Sequence, residues 1–438
     1  MNAPTPTVPA RTVPASIVVI GAGPAGLTAA HRLAGDGHRV TVLERETTVG
    51  GRTHSAHHGP GHWVDTGAGW LASFYPDTLA LLDEMGLRHL LSPMQLRGGG
   101  DLQLDGRVVP TPNSIRRILT TRLLGPLDKA RFLAFMARLV ATQRGDLRID
   151  LGHDDEAALD ALAAMGERPR ERIVRPNFEG PFFARLETMS GALVRSWLRC
   201  LSVGTFLHVD GGMDAPWRRI GTTLDVRTGV TVTNVTPVGA GVEVVADGSA
   251  ERYDAAVVAV PAPVAAGLVA ADHRPAWLDD VRYVPHVRLY AARRGIGPAR
   301  SGVHVFPNDL VATVELGGGR FGAWGQVPDD WEWALVCAPA AASGALLDLP
   351  EGEVRDRLWQ AATAIDPRLF RLDQADVVQL VRWRHAVPDV GPGYFGRIAA
   401  FRQSPPIVFA GDWLVQPCVE GAVRSGNAAA AAVTGGSR

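Results

Sequence analysis

Residues 16–44 read SIVVI GAGPAGLTAAHRLAGDGH RVTVLE, and this stretch sets the fold. Ser16–Ile20 is a short β-branched run without alternation of apolar and polar residues, which is typical of a strand buried on both faces. It runs directly into the glycine-rich turn at residues 21–26 and then into an alanine-rich helix. Arg39–Leu43 predicts a second, parallel strand that ends at Glu44. Together these elements predict one βαβ unit.

The turn after the first strand carries a GxGxxG pattern in the context that dinucleotide binding requires. A strand precedes it, a helix follows it, and an acidic residue lies about 20 positions further on. Gly21 permits the tight turn, Gly23 lets the backbone approach a pyrophosphate, and Gly26 allows close packing of helix against strand. The helix start at Pro24 and Ala25 would present free N–H groups to the phosphates. This turn is therefore the first predicted phosphate site.

The acidic residue at the tip of the second strand is Glu44. It is placed to accept hydrogen bonds from ribose hydroxyls, and its carboxylate would repel a 2′-phosphate, which argues against NADP. Its neighbour Arg45 is included in the predicted cofactor site.

Composition describes an ordinary globular protein. The chain of 438 residues exceeds the usual size of one hydrophobic core, which favours two closely joined domains. A formal net charge of −1 gives no global field that would attract nucleic acid. Cys200, Cys337 and Cys418 lie far apart, which fits a reduced, cytoplasmic protein, and no CxxC or paired His/Cys cluster predicts a metal. Residues 1–15 predict a disordered tail, and no apolar run reaches the length of a membrane span.

Residues 46–56 read ETTVGGRTHSA, and here the chain resembles the flavin-containing amine oxidase and protoporphyrinogen oxidase superfamily. In that family an acidic ribose ligand is followed by a Gly-Gly-Arg segment, matched here by Gly50, Gly51 and Arg52. Two adjacent glycines leave room for the cofactor against the backbone, and an arginine can neutralise a pyrophosphate oxygen. The next stretch looks like the family's D-x-G-A loop along the isoalloxazine. Its predicted flavin contacts are Gly67, Ala68, Gly69 and Trp70.

Further segments resemble the family in its own order along the chain. Gly-Gly-Met at residues 211–213 resembles the double glycine before the segment that reaches the adenine, which Val235 would contact through its backbone. Residues 253–261 (YDAAVVAVP) resemble the family's A-D-x-V-V-x-A-x-P strand, which adds Val260 to the predicted cofactor contacts.

Residues 409–412 and 419–426 together resemble the family's terminal flavin motif. By resemblance, Asp412 would bind the ribityl or phosphate region, and backbone amides near Ala422 would face the pyrimidine oxygen of the flavin. A helix N-terminus at that point stabilises the anionic reduced flavin. The predicted contacts of this motif are Gly411, Asp412, Glu420, Gly421 and Ala422. The resemblance thus implies FAD as the cofactor.

The strand–loop–helix pattern of the first residues recurs at the end of the chain, so we expect both ends to meet on one nucleotide. The predicted fold is α/β, with a discontinuous Rossmann-type FAD-binding domain and an inserted α+β substrate-binding domain. The FAD-binding domain would comprise residues 16–77, 206–272 and 396–438. The substrate-binding domain would comprise residues 78–205 and 273–395.

The chain departs from the family at the residue that contacts flavin N5 through water, which amine oxidases commonly supply as a lysine on a strand. Lys129 is the only lysine here and lies in a predicted helix. The corresponding strand is Val284–Ala291 (VPHVRLYA), which puts His286 or Arg288 near that position. His286 is therefore a candidate acid or base, with a packed histidine as the alternative.

A second departure is Cys418, two positions before Glu420, where typical amine oxidases place an aromatic residue of the cage for the substrate amine. The missing ring predicts a bulkier substrate and makes Cys418 a candidate site residue, with a small buried thiol as the alternative. Residues 383–388 (WRHAVP) resemble the family's cavity-lining W-x-x-A-x-P segment, which adds Trp383 and His385 as candidates.

Three tryptophans, Trp324, Trp331 and Trp333, would either wall an apolar substrate pocket or pack into the core. Glu315 and Arg288 would either recognise charged groups of a substrate or be ordinary exposed charges.

The expected activity is that of an oxidase or dehydrogenase acting on a C–N or C–C bond of an apolar small molecule, such as a specialised metabolite, with O2 as acceptor. Oxidation of a porphyrinogen, a redox-neutral isomerisation or dehydroxylation, and a non-enzymatic flavoprotein are the alternatives. The basic, leucine-rich segment Ser114–Ile149 predicts either attachment to a membrane surface or a solvated face. The sequence is compatible with a homodimer but does not reveal the oligomeric state.

Overall fold

The structure, a computed structural model, describes residues 14–94, 101–104, 107–112, 114–142, 147–182, 185–295, 303–305, 310–318 and 324–435. The strands among these residues are, in chain order, Ser16–Ile20 (β1), Arg39–Glu44 (β2), Ser55–His57 (β3), Trp63–Asp65 (β4), Leu71–Ala72 (β5), Leu91–Pro93 (β6), Asp101–Leu104 (β7), Arg107–Pro110 (β8), Phe206–Val209 (β9), Asp225–Thr228 (β10), Val232–Val238 (β11), Gly241–Ala246 (β12), Ser249–Tyr253 (β13), Ala255–Val258 (β14), Tyr283–Arg294 (β15), Val303–Val305 (β16), Thr313–Gly318 (β17), Gly325–Gln326 (β18), Trp331–Cys337 (β19), Val377–Pro388 (β20) and Ile407–Phe409 (β21). The α-helices are Pro24–Gly35 (α1), Pro76–Glu84 (α2), Ile115–Thr120 (α3), Pro126–Ala141 (α4), Ala158–Ala161 (α5), Glu167–Pro169 (α6), Arg175–Phe182 (α7), Gly191–Leu201 (α8), Ala215–Gly221 (α9), Ala262–Leu268 (α10), Ala340–Leu346 (α11), Glu351–Ile365 (α12), Tyr394–Ala400 (α13) and Val419–Thr434 (α14).

A five-stranded parallel sheet, in the order β10-β2-β1-β14-β21, carries the glycine-rich turn at its centre. Strand β1 pairs with β2 on one side and with β14 on the other, and Ile17–Ile20 are buried, as the absence of alternation predicted. This is a Rossmann-type α/β arrangement, and the predicted fold class is confirmed. Its strands come from the beginning, the middle and the end of the chain.

Helices α1 and α14 pack closely against each other beside this sheet. A Cβ at Gly426 in α14 would lie too close to the carbonyl oxygen of Ala25 in α1. The contact brings the first and last nucleotide motifs together. The two ends of the chain therefore lie side by side in the fold, and their meeting on one nucleotide stays a prediction.

A second sheet of seven strands, in the order β20-β15-β19-β17-β16-β7-β8, draws on the segments that the sequence assigned to the other domain. Successive side chains of the long strand β15 point to alternate faces of this sheet. Val287, Leu289 and Ala291 are buried in a cluster with residues of α11 and α12, which leaves His286 and Arg288 on the opposite face. The domain limits themselves stay a prediction, and the limit at residue 78 falls inside α2.

The hairpin of β3 and β4, extended by β18, carries the predicted flavin loop, which follows β4 directly. Within the described part of the chain, no helix is both long enough and apolar enough to cross a bilayer. Most of the predicted tail, residues 1–13, lies outside the described residues, as does Arg144 of the basic segment.

Candidate functional site

The glycine-rich turn has the geometry of a phosphate cradle. Gly21 adopts φ +101°, its N–H donates to the carbonyl of Leu43 at 2.8 Å, and a Cβ on it would lie 2.6 Å from the carbonyl oxygen of Ala259. A Cβ on Gly26 would collide with the carbonyl oxygen of Gly21. By contrast, a Cβ on Gly23 would meet no atom within 4 Å. The turn is thus closed where it packs and open at Gly23, where a pyrophosphate would lie against the N-terminus of α1.

Glu44 lies directly against this turn. Its Oε2 accepts a hydrogen bond from the N–H of Ala22 at 2.7 Å, and its Oε1 accepts one from the N–H of Glu46 at 2.9 Å. Each carboxylate oxygen keeps a second lone pair, so both can also accept from a ribose hydroxyl. Arg45 is exposed and pairs with Glu46 at 2.9 Å, so its side chain lies on the surface.

The Gly-Gly-Arg segment crosses the same turn. The N–H of Gly50 donates to the carbonyl of Ala22 at 2.8 Å, and a Cβ on Gly51 would lie 3.3 Å from the Cα of Gly23. Gly50 and Gly51 adopt φ +110° and +52°, a region that favours glycine. Two glycines here therefore allow two stretches of backbone, and a cofactor beside them, to approach closely.

Arg52 and Asp412 form an ion pair that joins the first and the last predicted cofactor motifs of the chain. Nη1 and Nη2 of Arg52 donate to the two carboxylate oxygens at 2.9 and 2.6 Å, and Nη1 also donates to the carbonyl of Ala386 at 2.9 Å. The sequence assigned Arg52 to a pyrophosphate oxygen and Asp412 to the ribityl region, and it missed their pairing. The pair ties both nucleotide motifs to strand β20.

The predicted flavin loop is held in place by contacts that were not predicted from the sequence. Asp65 accepts hydrogen bonds from Oγ of Ser55 at 2.6 Å and from the N–H of Met213 at 3.0 Å, and burial raises its pKa to about 6. The carbonyl of Gly67 accepts a hydrogen bond from Nη2 of Arg288 at 2.7 Å. A buried guanidinium on β15 therefore positions the loop.

Trp324 covers the next part of the loop. A Cβ on Gly69 would collide with its ring, the guanidinium carbon of Arg288 lies 4.8 Å from its ring centre, and its Nε1 donates to Glu315 at 3.2 Å. Glu315 is half-buried rather than exposed. Glycine at position 69 is thus required by a tryptophan in a distant segment.

The other predicted pocket residues pack into the core. Trp333 and Tyr290 belong to a small buried cluster, with Trp324 and Trp331 packed against it. The cavity beside these rings measures about 10 Å³, which is room for roughly one water molecule. The interpretation of the tryptophans as a substrate wall is therefore not supported in this arrangement.

Aromatic rings do surround the other end of the flavin loop. Trp70 is half-buried, with its ring centre 4.4 Å from that of Phe206 and 5.9 Å from that of Trp197. The neighbouring Ala68 donates its N–H to the carbonyl of Arg52 at 2.8 Å. This end of the loop presents an apolar, partly open surface.

Helix α14 begins at Val419 with Cys418 as its N-cap. The N–H of Ala422 already donates to the carbonyl of Cys418 at 3.1 Å, so the open amides that would face a flavin precede Ala422. A Cβ on Gly421 would collide with the carbonyl oxygen of Gln416. The predicted helix terminus exists, and its free amides lie earlier in the turn than predicted.

The side chain of Glu420 is bound to the start of α2. Its carboxylate accepts hydrogen bonds from the N–H groups of Asp77 and Thr78, at 3.0 and 2.9 Å, and from Oγ1 of Thr78 at 2.7 Å. Burial raises its pKa to about 7. The carboxylate caps α2, because the unpaired amides of a helix start attract an anion more strongly than a neutral group does.

The Cys418 thiol lies beside the Tyr75 hydroxyl and the backbone N–H of Gly421. Burial raises its pKa to about 12, so it is a neutral thiol at ordinary pH. Tyr75 was not predicted from the sequence, and it brings an aromatic ring from another segment to the position where the family's ring is absent.

The three remaining candidates lie on β15 and β20. His286 is buried opposite Trp383, and burial together with the charge of Arg288 lowers its pKa well below the usual value. Its imidazole is neutral at ordinary pH, so it is not an acid or base whose pKa lies near neutral pH. Trp383 donates Nε1–H to the carbonyl of Thr66 at 2.6 Å and so anchors the flavin loop. His385 is half-buried, and burial and the charge of Arg52 lower its pKa.

The other predicted contacts are backbone positions. Val235 is buried in β11, where it pairs with Val244. The carbonyl of Val260 accepts a hydrogen bond from Nε1 of Trp413 at 3.2 Å, and the N–H of Gly411 donates to Oγ of Ser425 at 2.8 Å. Among the described residues, no group of three or more His, Cys, Asp or Glu side chains could hold a metal ion.

Comparison with known proteins agrees with this geometry. The family described as flavin containing amine oxidoreductase matches residues 24–434. Putrescine oxidase from Kocuria rosea is 46% identical over 71 residues, a stretch that covers 16% of this chain and 15% of that protein. A protein named as a protoporphyrinogen oxidase from Exiguobacterium sp. 255-15 has a similar structure, with a TM-score of 0.75 and 17% identity over 95% of this chain and 98% of its own. Putrescine oxidase bound to putrescine gives a TM-score of 0.73 with 19% identity over 97% and 99% of the two chains. At these identities the structural likeness shows a shared fold.

Proposed function

Because the chain belongs to the flavin containing amine oxidoreductase family and is an FAD-dependent oxidoreductase, we propose that it takes a hydride from a C–N or C–C bond of an apolar small molecule. FAD, when bound, supplies the atom that accepts the hydride. The residues of the chain are left to orient the reacting C–H group and to exclude water. We further propose O2 as the electron acceptor, a specialised metabolite as the substrate, and the cytoplasm as the location.

The observation that carries the proposal is the character of the surface beside the flavin loop. Trp70 and Phe206 form a partly open aromatic pair, and the half-buried, neutral Cys418 thiol lies beside the buried Tyr75. None of these four side chains is charged near neutral pH. Such a surface favours an apolar substrate, because a charged group placed there would lose its hydration without gaining a partner.

The residues that this chain has in place of the family's strand lysine support the same conclusion. Lys129 donates Nζ–H to the carbonyl of Leu119 in the helical segment, remote in sequence from β15. Arg288, on β15, is committed to the carbonyl of Gly67 and to the ring of Trp324. His286 beside it is neutral. These groups position the loop, and none of them is a mobile cation for a typical amine oxidase mechanism.

Anaerobic mixing of the FAD-loaded protein with candidate substrates tests the proposal. We expect terpenoid or polyketide-like compounds, or bulky amines, to bleach the flavin, and admission of O2 to restore its colour with release of hydrogen peroxide. Bleaching by porphyrinogens alone, or by small polar diamines alone, would contradict an apolar metabolite as substrate. Product formation without bleaching or peroxide would indicate a redox-neutral isomerase. A Trp70→Ala variant should lose apolar-substrate binding, and a Trp331→Phe variant, altered in the packed cluster, serves as the matched control.

A further inference from the structure

We propose that Gln416 selects the substrate, because its side-chain carbonyl oxygen accepts a hydrogen bond from a neutral N–H or O–H group on an otherwise apolar molecule. The proposal rests on the proposed function, since it names a group that the substrate of that same site would carry. Gln416 lies between the two parts of the last predicted cofactor motif, two positions before Cys418.

Within the described part of the chain, only one half of the Gln416 amide forms a hydrogen bond. The residue is 2% exposed, and its Nε2 donates to the carbonyl of Leu147. That partner fixes the orientation of the amide, because a carbonyl oxygen accepts from the NH2 group and not from the amide oxygen. Oε1 is buried and accepts no hydrogen bond from any described residue. A buried acceptor without a donor destabilises the protein, and a ligand that donates to it would remove this cost.

Gln403 provides a contrast within the same chain. Its Nε2 donates to the carbonyl of Phe409 at 2.7 Å, and its Oε1 accepts the N–H of the same residue at 3.0 Å. The backbone of β21 therefore uses both halves of the Gln403 amide. Gln416 differs because its acceptor is left for another partner.

Gln416 borders the proposed substrate surface through the start of α14. Its backbone carbonyl accepts the N–H of Cys418 at 2.7 Å. The Cys418 thiol lies beside the hydroxyl of Tyr75. The ring of Trp197 links Tyr75 to Trp70, since its centre lies 6.4 Å from the first ring and 5.9 Å from the second. Gln416 is therefore a close neighbour of the residues that form this surface.

The partner of the Gln416 amide is fastened to the same surface from another side. Leu147 is buried, and the carbonyl of the next residue, Arg148, accepts a hydrogen bond from Nη2 of Arg199 at 2.8 Å. Arg199 lies in α8, the helix that also carries Trp197. Gln416 is thus linked to both elements that contact Tyr75, the start of α14 and α8.

The charges of this segment favour a neutral donor. Residues 412–420 contain two carboxylates, and both are already bound, that of Asp412 to Arg52 and that of Glu420 to the start of α2. The Cys418 thiol is neutral. An ammonium group beside Oε1 would therefore lose its hydration without gaining a counter-charge, whereas a hydroxyl or a neutral N–H needs only the acceptor. The substrate class is thus an apolar alcohol or a neutral N–H compound.

Pairs of probes that differ only by a methyl group on the donor test this proposal without turnover. Indole is compared with N-methylindole, and cyclohexanol with methoxycyclohexane, by anaerobic titration of the full FAD-loaded chain, followed by calorimetry and flavin absorbance. We expect the donor of at least one pair to bind at least about tenfold more tightly than its methylated partner, because methylation leaves a buried acceptor unpaired. Cyclohexylamine, in its ammonium form, should bind more weakly than cyclohexanol.

Two substitutions of Gln416 and one of Gln403 identify the acceptor. Gln416→Leu and Gln416→Met remove Oε1 at similar side-chain volume, so both variants should bind the two members of a pair equally. Gln403→Leu removes an amide that serves only β21, so it should lower the free energy of unfolding and keep the preference. Circular dichroism and flavin content show whether each variant is folded. If neither Gln416 variant folds, the preference of the wild type alone decides.

Four results would each overturn the proposal: equal affinity of the wild type for both members of each pair, binding of neither pair, tighter binding of cyclohexylamine than of cyclohexanol, or an unchanged preference in the folded Gln416 variants. A weaker FAD affinity of these variants with an unchanged preference would assign Oε1 to the flavin and would equally overturn it. Bleaching of the flavin by apolar compounds that show no donor preference would overturn this inference alone and leave the proposed function standing.

Discussion

Replacing Gly23 by alanine should weaken FAD binding strongly while the apoprotein stays folded. Gly23 has φ −79° and ψ 179°, a conformation open to alanine, and the added methyl group would meet no protein atom within 4 Å. It would instead occupy the open side of the turn, where the pyrophosphate of a bound dinucleotide would lie against the helix N-terminus. The substitution therefore separates the binding of the cofactor from the packing of the fold.

The size of the effect follows from the contacts that the methyl group would displace. A charge-assisted hydrogen bond from a backbone N–H to a phosphate oxygen contributes about 1.5–3 kcal/mol. Loss of one or two of them costs about 3 kcal/mol, or roughly two orders of magnitude in Kd. Titration of apoprotein with FAD, followed by calorimetry or by flavin fluorescence, measures this change.

Two further glycines of the same turn and helix provide controls. Gly35→Ala adds a methyl group that also meets nothing within 4 Å but lies at the far end of α1, so it should bind FAD normally. Gly26→Ala should lower the free energy of unfolding, because its Cβ would collide with Gly21. Wild-type affinity in Gly23→Ala, or an equal loss in Gly35→Ala, would refute this reasoning.

Three other predictions concern ionisable groups. In a double-mutant cycle with Arg52→Lys and Asp412→Asn, urea unfolding should give a coupling energy of about 1–3 kcal/mol, and strictly additive effects would contradict the observed pair. Burial and neighbouring His58 lower the pKa of His62 to about 4. The folded protein therefore favours the neutral imidazole, and this contribution to stability is fully present above pH 6.5. Up to about 3 kcal/mol of it is lost as the pH falls from 6.5 to 4. His62→Gln should flatten that acid limb of the stability profile, and an unchanged limb would exclude His62 as its cause. Because burial raises the pKa of the half-buried Cys418 thiol to about 12, iodoacetamide should leave it unmodified in native protein near pH 8, and rapid alkylation detected by mass spectrometry would contradict the raised pKa.

The nucleotide turns were predictable from sequence because local backbone geometry fixes their residues. Gly21 needs a positive φ, Gly26 needs a bare Cα, and Glu44 follows at the end of the next strand. Each of these requirements acts within one βαβ unit, so the residue types alone reveal it.

Contacts between remote segments were not predictable in the same way. Arg52 is 360 positions away from Asp412, and Glu420 lies 342 positions from the Thr78 that it caps. An arginine or glutamate in a cofactor motif can serve the cofactor or another part of the protein, and only the tertiary fold selects between them. The tryptophans of the second sheet show the same limit, since a ring that could wall a pocket can equally fill a core.

Identification of the nucleotide released from purified and reconstituted protein tests whether the two ends of the chain hold one flavin. The geometry of the turn, the Gly-Gly-Arg segment and helix α14 predicts one FAD per chain, measured by absorbance and chromatography after denaturation. A colourless protein that takes up no flavin on reconstitution, or one that releases a nicotinamide dinucleotide instead, would contradict it.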